Sequence, residues 1–357
     1  MRLAAIEVIP YALPFAKPYV TARGSLDRRE MVLVRARTDD GLEGLGEAVP
    51  LTLRGGSTLA AVVDELRGAA AELEGAELAE PAEHEPPAIL GRLSPPAAAA
   101  LEMAWMDLAA RESGTPLWRI LGASVCEPVA CNATLSAASP ERVAAEAEDW
   151  AGRGFVSFKL KVGMPGDVAQ VEAVRAALGP EVRIRVDANG AWSVDEAIRR
   201  LDAMEDQEIE LAEQPAKTLE DLAEVREDSS VPIAADESVA SADDAARAAE
   251  ARACDLATVK LSKVGGMASA QLIASILPTY LSSALDGPVG IAAAAHLAQV
   301  VDPGGRRGLA HGLATQLLFS ETVATVECEV RDGLLHLPPG PGLGVVIDEA
   351  ALERARL

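Results

Sequence analysis

Phe158-Lys159-Leu160-Lys161, Val186-Asp187-Ala188-Asn189, Ala212-Glu213-Gln214-Pro215, Ala235-Asp236-Glu237-Ser238 and Thr258-Val259-Lys260-Leu261 are five apolar runs interrupted or ended by charge. The steps from Lys161 to Asp187, Glu213, Asp236 and Lys260 are 26, 26, 23 and 24 residues. That interval suits one strand, one helix and two loops. A repeated β/α unit of this kind closes into a parallel barrel whose strand ends share one rim. Three acids and three lysines, distant along the chain, would meet there.

Strand-like runs extend outward from these segments at 128–134, 155–162, 182–187, 208–213, 231–236, 256–261, 279–284 and 306–310. Ala-rich helical runs at 140–152, 193–204, 241–251 and 288–300 separate them. The eighth strand carries the weakest pattern. Residues 126–320 therefore read as a (β/α) barrel catalytic domain. Upstream, 2–12 and 30–37 alternate as strands, Asp39-Asp40-Gly41 is a turn, and 57–74 and 96–112 have helical periodicity. Residues 1–125 thus read as an α+β capping domain. The tail, 321–357, carries strand-like Val323-Ala324-Thr325-Val326-Glu327 and is expected to return to that domain. The expected fold class is α/β: a modified TIM barrel with an α+β cap formed by the N-terminal region and the C-terminal tail.

Composition narrows the function. The 357 residues are 49% hydrophobic and 24% charged, as in a globular enzyme with a sizeable core. Aromatics are only 3%, so Ala, Leu, Val and Ile must build that core. A net charge of −23 argues against nucleic acid as a partner. The start, Met1-Arg2-Leu3-Ala4-Ala5-Ile6-Glu7, reaches an acid before any signal-like apolar stretch, and no apolar run is long enough to span a bilayer. Cys126, Cys131, Cys254 and Cys328 have neither metal-ligand spacing nor disulfide density. A cytoplasmic enzyme without membrane contact is expected.

The chemistry starts with the acids. Asp187, Glu213 and Asp236 on successive strands would repel one another unless a cation lies between them. Three carboxylate oxygens with water and substrate suit Mg²⁺ better than Zn²⁺. The plain alternative is that each acid caps the following helix. Lys159 and Lys161, two apart in a strand, share a face, and adjacent ammonium groups near a metal would lower one of them towards a base. Lys260, on the sixth strand, interrupts Ala257-Thr258-Val259. Surface lysines are the plain reading for Lys159 alone and for Lys263. A carboxylate substrate bound between the two walls would lose its α-proton to a lysine, and a divalent ion would stabilise the enediolate.

These motifs, in order and spacing, resemble the muconate-lactonising branch of the enolase superfamily over essentially the full chain. The resemblance implies Asp187, Glu213 and Asp236 as Mg²⁺ ligands (Mn²⁺ being a possible substitute), Lys161 as general base and Lys260 as its partner across the site. It implies that Lys159 orients Lys161 and that Asn189 supports the site from behind. Leu281-Ser282-Ser283-Ala284-Leu285-Asp286 with Val289-Gly290, Cys131-Asn132-Ala133-Thr134 and Ala22-Arg23-Gly24 are similar to o-succinylbenzoate synthases. That implies syn-dehydration of a cyclohexadiene carboxylate in menaquinone synthesis, with Asn132, Ser282 and Ser283 touching substrate. Thr258 to Gly266 resembles cycloisomerases and epimerases equally, and N-succinylamino acid racemases share the scaffold. Dipeptide epimerases typically carry Asp-x-Asp at the eighth strand, whereas Arg307 to Leu313 holds no acid. The resemblance also implies that residues 17–29 and 49–58 are loops over the barrel mouth, and that the chain can form a homo-oligomer. Arg23, Arg28, Arg29 or Arg54 could meet a substrate carboxylate, surface arginines being the default. His84, His296, His311 and His336 lie outside the five segments, and His296 reads as a helix residue.

Overall fold

The computed structural model describes residues 2–21, 24–52, 55–77, 87–136, 138–301 and 308–357. Strands β1 (Leu3–Thr21), β2 (Gly24–Thr38) and β3 (Glu43–Ala48) form an antiparallel sheet in that order. The turn after β2 closes with Gly41 donating to the Thr38 carbonyl at 3.0 Å. The expected loop at 17–29 is instead largely a hairpin arm, with Tyr19 opposite Leu26 and Thr21 opposite Gly24. The register shifts between Pro14 and Tyr19, where Pro14 and Pro18 offer no N–H to the ladder. Arg23, Arg54 and His84 lie outside the described residues.

Helix α1 (Leu59–Leu73) begins at Thr58, whose hydroxyl accepts from the Ala61 amide at 3.2 Å. Helix α2 (Pro95–Glu112) lies directly on β3 and is followed by the short α3 (Leu117–Ile120). A Cβ at Gly46 would stand 1.8 Å from the Ala100 carbonyl oxygen, and one at Gly44 2.3 Å from that of Ala104. Glycine on the strand and alanine on the helix let two backbones approach where few aromatics are available to fill space.

The barrel opens with β4 (Val129–Ala130) and β5 (Ala133–Leu135). It continues through α4 (Pro140–Ala151), β6 (Ser157–Lys161), α5 (Asp167–Leu178), β7 (Arg183–Asp187), α6 (Val194–Ala203), β8 (Ile209–Glu213) and α7 (Leu219–Asp228). Then come β9 (Ile233–Ala235), α8 (Ala242–Glu250), β10 (Leu256–Val259), α9 (Leu261–Val264), α10 (Met267–Ile276), β11 (Thr279–Leu281) and α11 (Pro288–Val301). Strands β5 to β11 form one parallel sheet in sequence order. Its register sets Lys161 beside Asp187 and Asp187 beside Glu213.

The eighth unit departs from expectation. Residues 308–310 form no strand, and 302–307 are outside the described residues. Closure falls on His311 and Gly312, through parallel bridges Cys131–His311 and Ser282–Gly312. A Cβ at Gly312 would sit 2.5 Å from the Ser282 hydroxyl and 3.2 Å from its Cβ, so any larger residue there would have to push Ser282 aside. Side chains replace the missing ladder: Arg183 donates to the Gly308 carbonyl and Arg185 to that of Ala310.

The tail comprises β12 (Ala324–Val326), β13 (Glu329–Arg331), β14 (Leu334–His336), β15 (Val346–Ile347) and α12 (Glu349–Ala355). It serves both halves of the molecule. Strand β14 pairs with β4 at the start of the barrel. Leu357 donates to Pro10, and Glu349 pairs with Arg35 of β2 at 2.6 Å. Among the described residues no helix is long and apolar enough to cross a membrane.

Candidate active site

Period two along each strand decides what faces the barrel axis. Lys159 and Lys161 on β6, Asp187 on β7, Glu213 on β8, and Asp236 and Lys260 just past β9 and β10 converge at one end. All are buried, the three acids completely. None of the acids caps a helix: Ser193, Thr218 and Ser241 cap α6, α7 and α8. The cap alternative is thereby excluded.

The charges interlock. Lys159 Nζ lies 2.8 Å from Asp187 and 2.6 Å from Glu213. Lys161 donates to Asp187 at 2.6 Å and to the Asn189 side-chain oxygen at 3.0 Å. Lys260 donates to Asp236 and stands 3.8 Å from Glu213 Oε1. Lys263, read from sequence as a surface lysine, is buried as well. It donates to Asp236 Oδ1 at 3.0 Å, to the Asp236 carbonyl and to the Thr258 carbonyl at 2.9 Å. The surface reading fails for Lys159 for the same reason: a carboxylate partner offsets burial.

These contacts fix the direction of titration. Burial raises the Asp187 carboxyl, but Lys159, Lys161 and Lys260 outweigh it and the net shift is downward. Glu213 is raised, first by burial and then by Asp187. Burial lowers Lys161, yet Asp187 leaves it above its ordinary value. The Asp187 carboxylate at 2.6 Å keeps Lys161 protonated; the lowering expected beside Lys159 belongs to a rim in which a cation takes that carboxylate.

Asn189 adopts a left-handed backbone (φ 49°), which returns its amide to Asp187 Oδ1 at 3.0 Å. Gln214 (φ 42°) accepts from the Asp236 amide at 2.8 Å and so ties the fourth strand end to the fifth. A cavity opens above the lysines. The cap contributes Tyr19, Arg29 and Leu51; the barrel contributes Thr134, Asn189, Lys159, Lys161, Lys260, Ser282, Ser283 and Thr315. Arg29 is buried and held by the Pro50 and Ala284 carbonyls at 2.8 and 3.0 Å, so the surface default fails for it, whereas Arg28 is exposed beside Glu30. Asn132 does not line the cavity: it is buried, its amide bonded to the His311 carbonyl. Ser283 donates to Asp286 and accepts from Thr315, at 2.8 and 2.7 Å. His296 lies in α11 and accepts from the Trp118 amide at 2.9 Å.

Hard oxygen donors are what Mg²⁺ selects, and Asp187, Glu213 and Asp236 supply them. Glu213 Oε1 is buried and accepts no hydrogen bond among the described residues. The donor chemistry and this orphaned oxygen fit a divalent cation. In this conformation the carboxylates turn towards ammonium groups, and among the described residues no three acid, His or Cys side chains are grouped closely enough to form a ligand set.

Sequence reasoning missed Arg185, Tyr280, Lys263 and Glu47. Period two could have found Arg185, two residues before Asp187 and on its face.

An inward ring of lysines and carboxylates at the ends of consecutive barrel strands, under an α+β cap, defines a class of acid–base enzymes. Residues 142–351 match the family described as enolase C-terminal domain-like, and residues 5–122 the mandelate racemase / muconate lactonizing enzyme N-terminal domain. The chain belongs to the enolase superfamily, in its muconate-lactonising subgroup. It is 35% identical over 315 residues to an L-Ala-D/L-Glu epimerase of Clostridium acetobutylicum, covering 84% of this chain and 87% of the relative. To an o-succinylbenzoate synthase of Thermobifida fusca it is 42% identical over 208 residues, covering 56% of this chain and 64% of the relative. The structure of a dipeptide epimerase from Enterococcus faecalis V583, complexed with Mg and the dipeptide L-Leu-L-Tyr, superposes with a TM-score of 0.89 at 28% identity. That match covers 97% of this chain and 100% of the other.

Proposed function

We propose that this chain removes a proton α to a carboxylate, with Mg²⁺ held by Asp187, Glu213 and Asp236, and that its reaction is the o-succinylbenzoate synthase dehydration. The observation that carries the substrate class is the cavity wall. Arg29, Lys159, Lys161 and Lys260 line it, and no Asp or Glu does among the described residues. Such a wall suits a dianion better than the free ammonium group of a dipeptide. A cyclohexadiene carboxylate carrying a succinyl chain has two carboxylates. The closer identity to the Thermobifida synthase, over the segment it covers, supports the same reading.

Bound by the three acids, Mg²⁺ would supply positive charge against the two negative oxygens of the enediolate. The chain's own residues do the rest. Lys161, a neutral amine once Asp187 pairs with the cation instead of with it, takes the α-proton and returns it to the departing hydroxyl, which leaves as water. Lys260, on the facing wall, stays charged beside the enediolate. Lys159 orients Lys161 and the substrate carboxylate, and Asn189 holds the Lys161 ammonium by its side-chain oxygen. Ser282, which lines the cavity, would meet the succinyl group. Tyr19, Arg29 and Leu51 reach the cavity from the cap and exclude water.

A second reading rests on a different observation: lysines from opposite walls line the same cavity, which also suits two-sided proton exchange in an N-succinylamino acid racemase. N-Succinyl amino acids are dianions too. Purified protein with Mg²⁺ should dehydrate the hydroxylated cyclohexadiene dicarboxylate and place no deuterium on the α-carbon of N-succinyl amino acids in D₂O. Labelling without dehydration would replace the synthase with the racemase. Turnover of dipeptides alone would overturn the dianion argument.

A further inference from the structure

Tyr280 belongs to none of the five charged segments, yet its hydroxyl reaches the centre of the site. It lies on β11, 1% exposed, with its ring among Leu211, Ala234, Leu256 and Leu309 inside the barrel. The hydroxyl donates to Glu213 Oε2, the oxygen that also receives Lys159 at 2.6 Å. Glu213 Oε1 has no hydrogen bond among the described residues, the Lys260 ammonium standing 3.8 Å from it. A buried carboxylate oxygen without a hydrogen-bond donor is costly and marks an atom open to a further ligand.

Beneath the ring lies Arg185, fully buried, its guanidinium carbon 5.0 Å from the ring centroid. Glu210 and the Ala310 carbonyl hold it there, the latter at 2.6 Å. A cation on the face of a phenol is attracted to the ring and makes its O–H a stronger donor. Arg185, Tyr280 and Glu213 therefore form a chain running from the eighth, strandless segment to the carboxylate rim.

We propose that Tyr280 is a positioning residue for Glu213: with Lys159 it occupies Oε2 and so presents Oε1 to the divalent cation. This rests on the metal-site reading given above. If Tyr280 only filled the barrel interior, phenylalanine would serve equally, because the ring contacts need no hydroxyl.

The test is calorimetric titration of the purified full chain with Mg²⁺ alone, for the parent, Tyr280→Phe and Glu213→Gln, after circular dichroism confirms folding. Tyr280→Phe removes one oxygen and keeps the ring over Arg185. Loss of such a supporting hydrogen bond is expected to raise the Mg²⁺ dissociation constant about tenfold. A rise below about threefold, with binding lost in Glu213→Gln, would overturn the positioning role and leave the metal site standing. Parent-like Mg²⁺ binding by Glu213→Gln would overturn both.

Discussion

Two groups of buried acids lie close to the cavity and are stabilised in opposite ways. At the barrel rim, Asp187, Glu213 and Asp236 are met by ammonium groups. At the joint between cap and barrel, Glu47 accepts from the Tyr11 hydroxyl at 2.8 Å and from the Gly287 and Val289 amides at 2.6 and 3.3 Å. Asp286, beside it, accepts from Ser283 and the Ala284 amide at 2.8 and 2.6 Å. Lysines hold Asp187 below its ordinary range, whereas burial and then Asp286 push Glu47 up to about 8. Hydrogen bonds from neutral donors stabilise a buried carboxylate less than a full positive charge does. The rim therefore keeps Asp187 and its ammonium partners charged for chemistry, and the joint keeps a proton and fastens the cap to the turn before α11.

Four experiments can break or sharpen that contrast. Lys161→Ala should cost the most, lowering kcat about 1000-fold or more while leaving Mg²⁺ titration in place. Retained turnover in a steady-state assay would remove Lys161 as the base. Lys263→Met leaves Asp236 one cation short in a buried site and should destabilise the fold by about 3 kcal/mol in urea denaturation. A parent-like midpoint would show that the remaining lysines suffice. Asp236→Asn should weaken Mg²⁺ about tenfold or more in the same titration used for Tyr280→Phe. An unchanged affinity would deny Asp236 its ligand role.

The gentlest effect, spread over several pH units, concerns Glu47. Its value rises from 4.5 to about 8 on folding, so between those limits the native state keeps a proton that the unfolded chain releases. Stability should fall as pH rises through that window, by up to about 1.4 kcal/mol per pH unit. Glu47→Gln should flatten that slope in urea melts at a series of pH values. An unaltered slope would assign the pH dependence to other groups.

Much of this architecture was legible in local pattern. Seven barrel strands lie on or within a few residues of their expected positions because apolar runs of strand length alternate with helical ones at a steady interval. The lysines on one face of β6 followed from period two. The eighth strand failed because its carbonyls are satisfied by Arg183 and Arg185, side chains some 125 residues away in sequence. The loop expected at 17–29 failed because prolines that shift register do not end a hairpin. Lys263 read as a surface lysine because nothing nearby in sequence announces that Asp236, 27 residues upstream, turns towards it.

The order and spacing of charge along the chain, by themselves, determined that acids and amines share one barrel end, since strand period and unit length are local properties of backbone geometry. Tertiary structure alone decided which oxygen of Glu213 is occupied, that Arg29 rather than Arg28 reaches the cavity, and that Tyr280 and Arg185 stand behind the rim. Those outcomes depend on ångström-scale distances between elements folded from opposite ends of the chain, which no local pattern encodes.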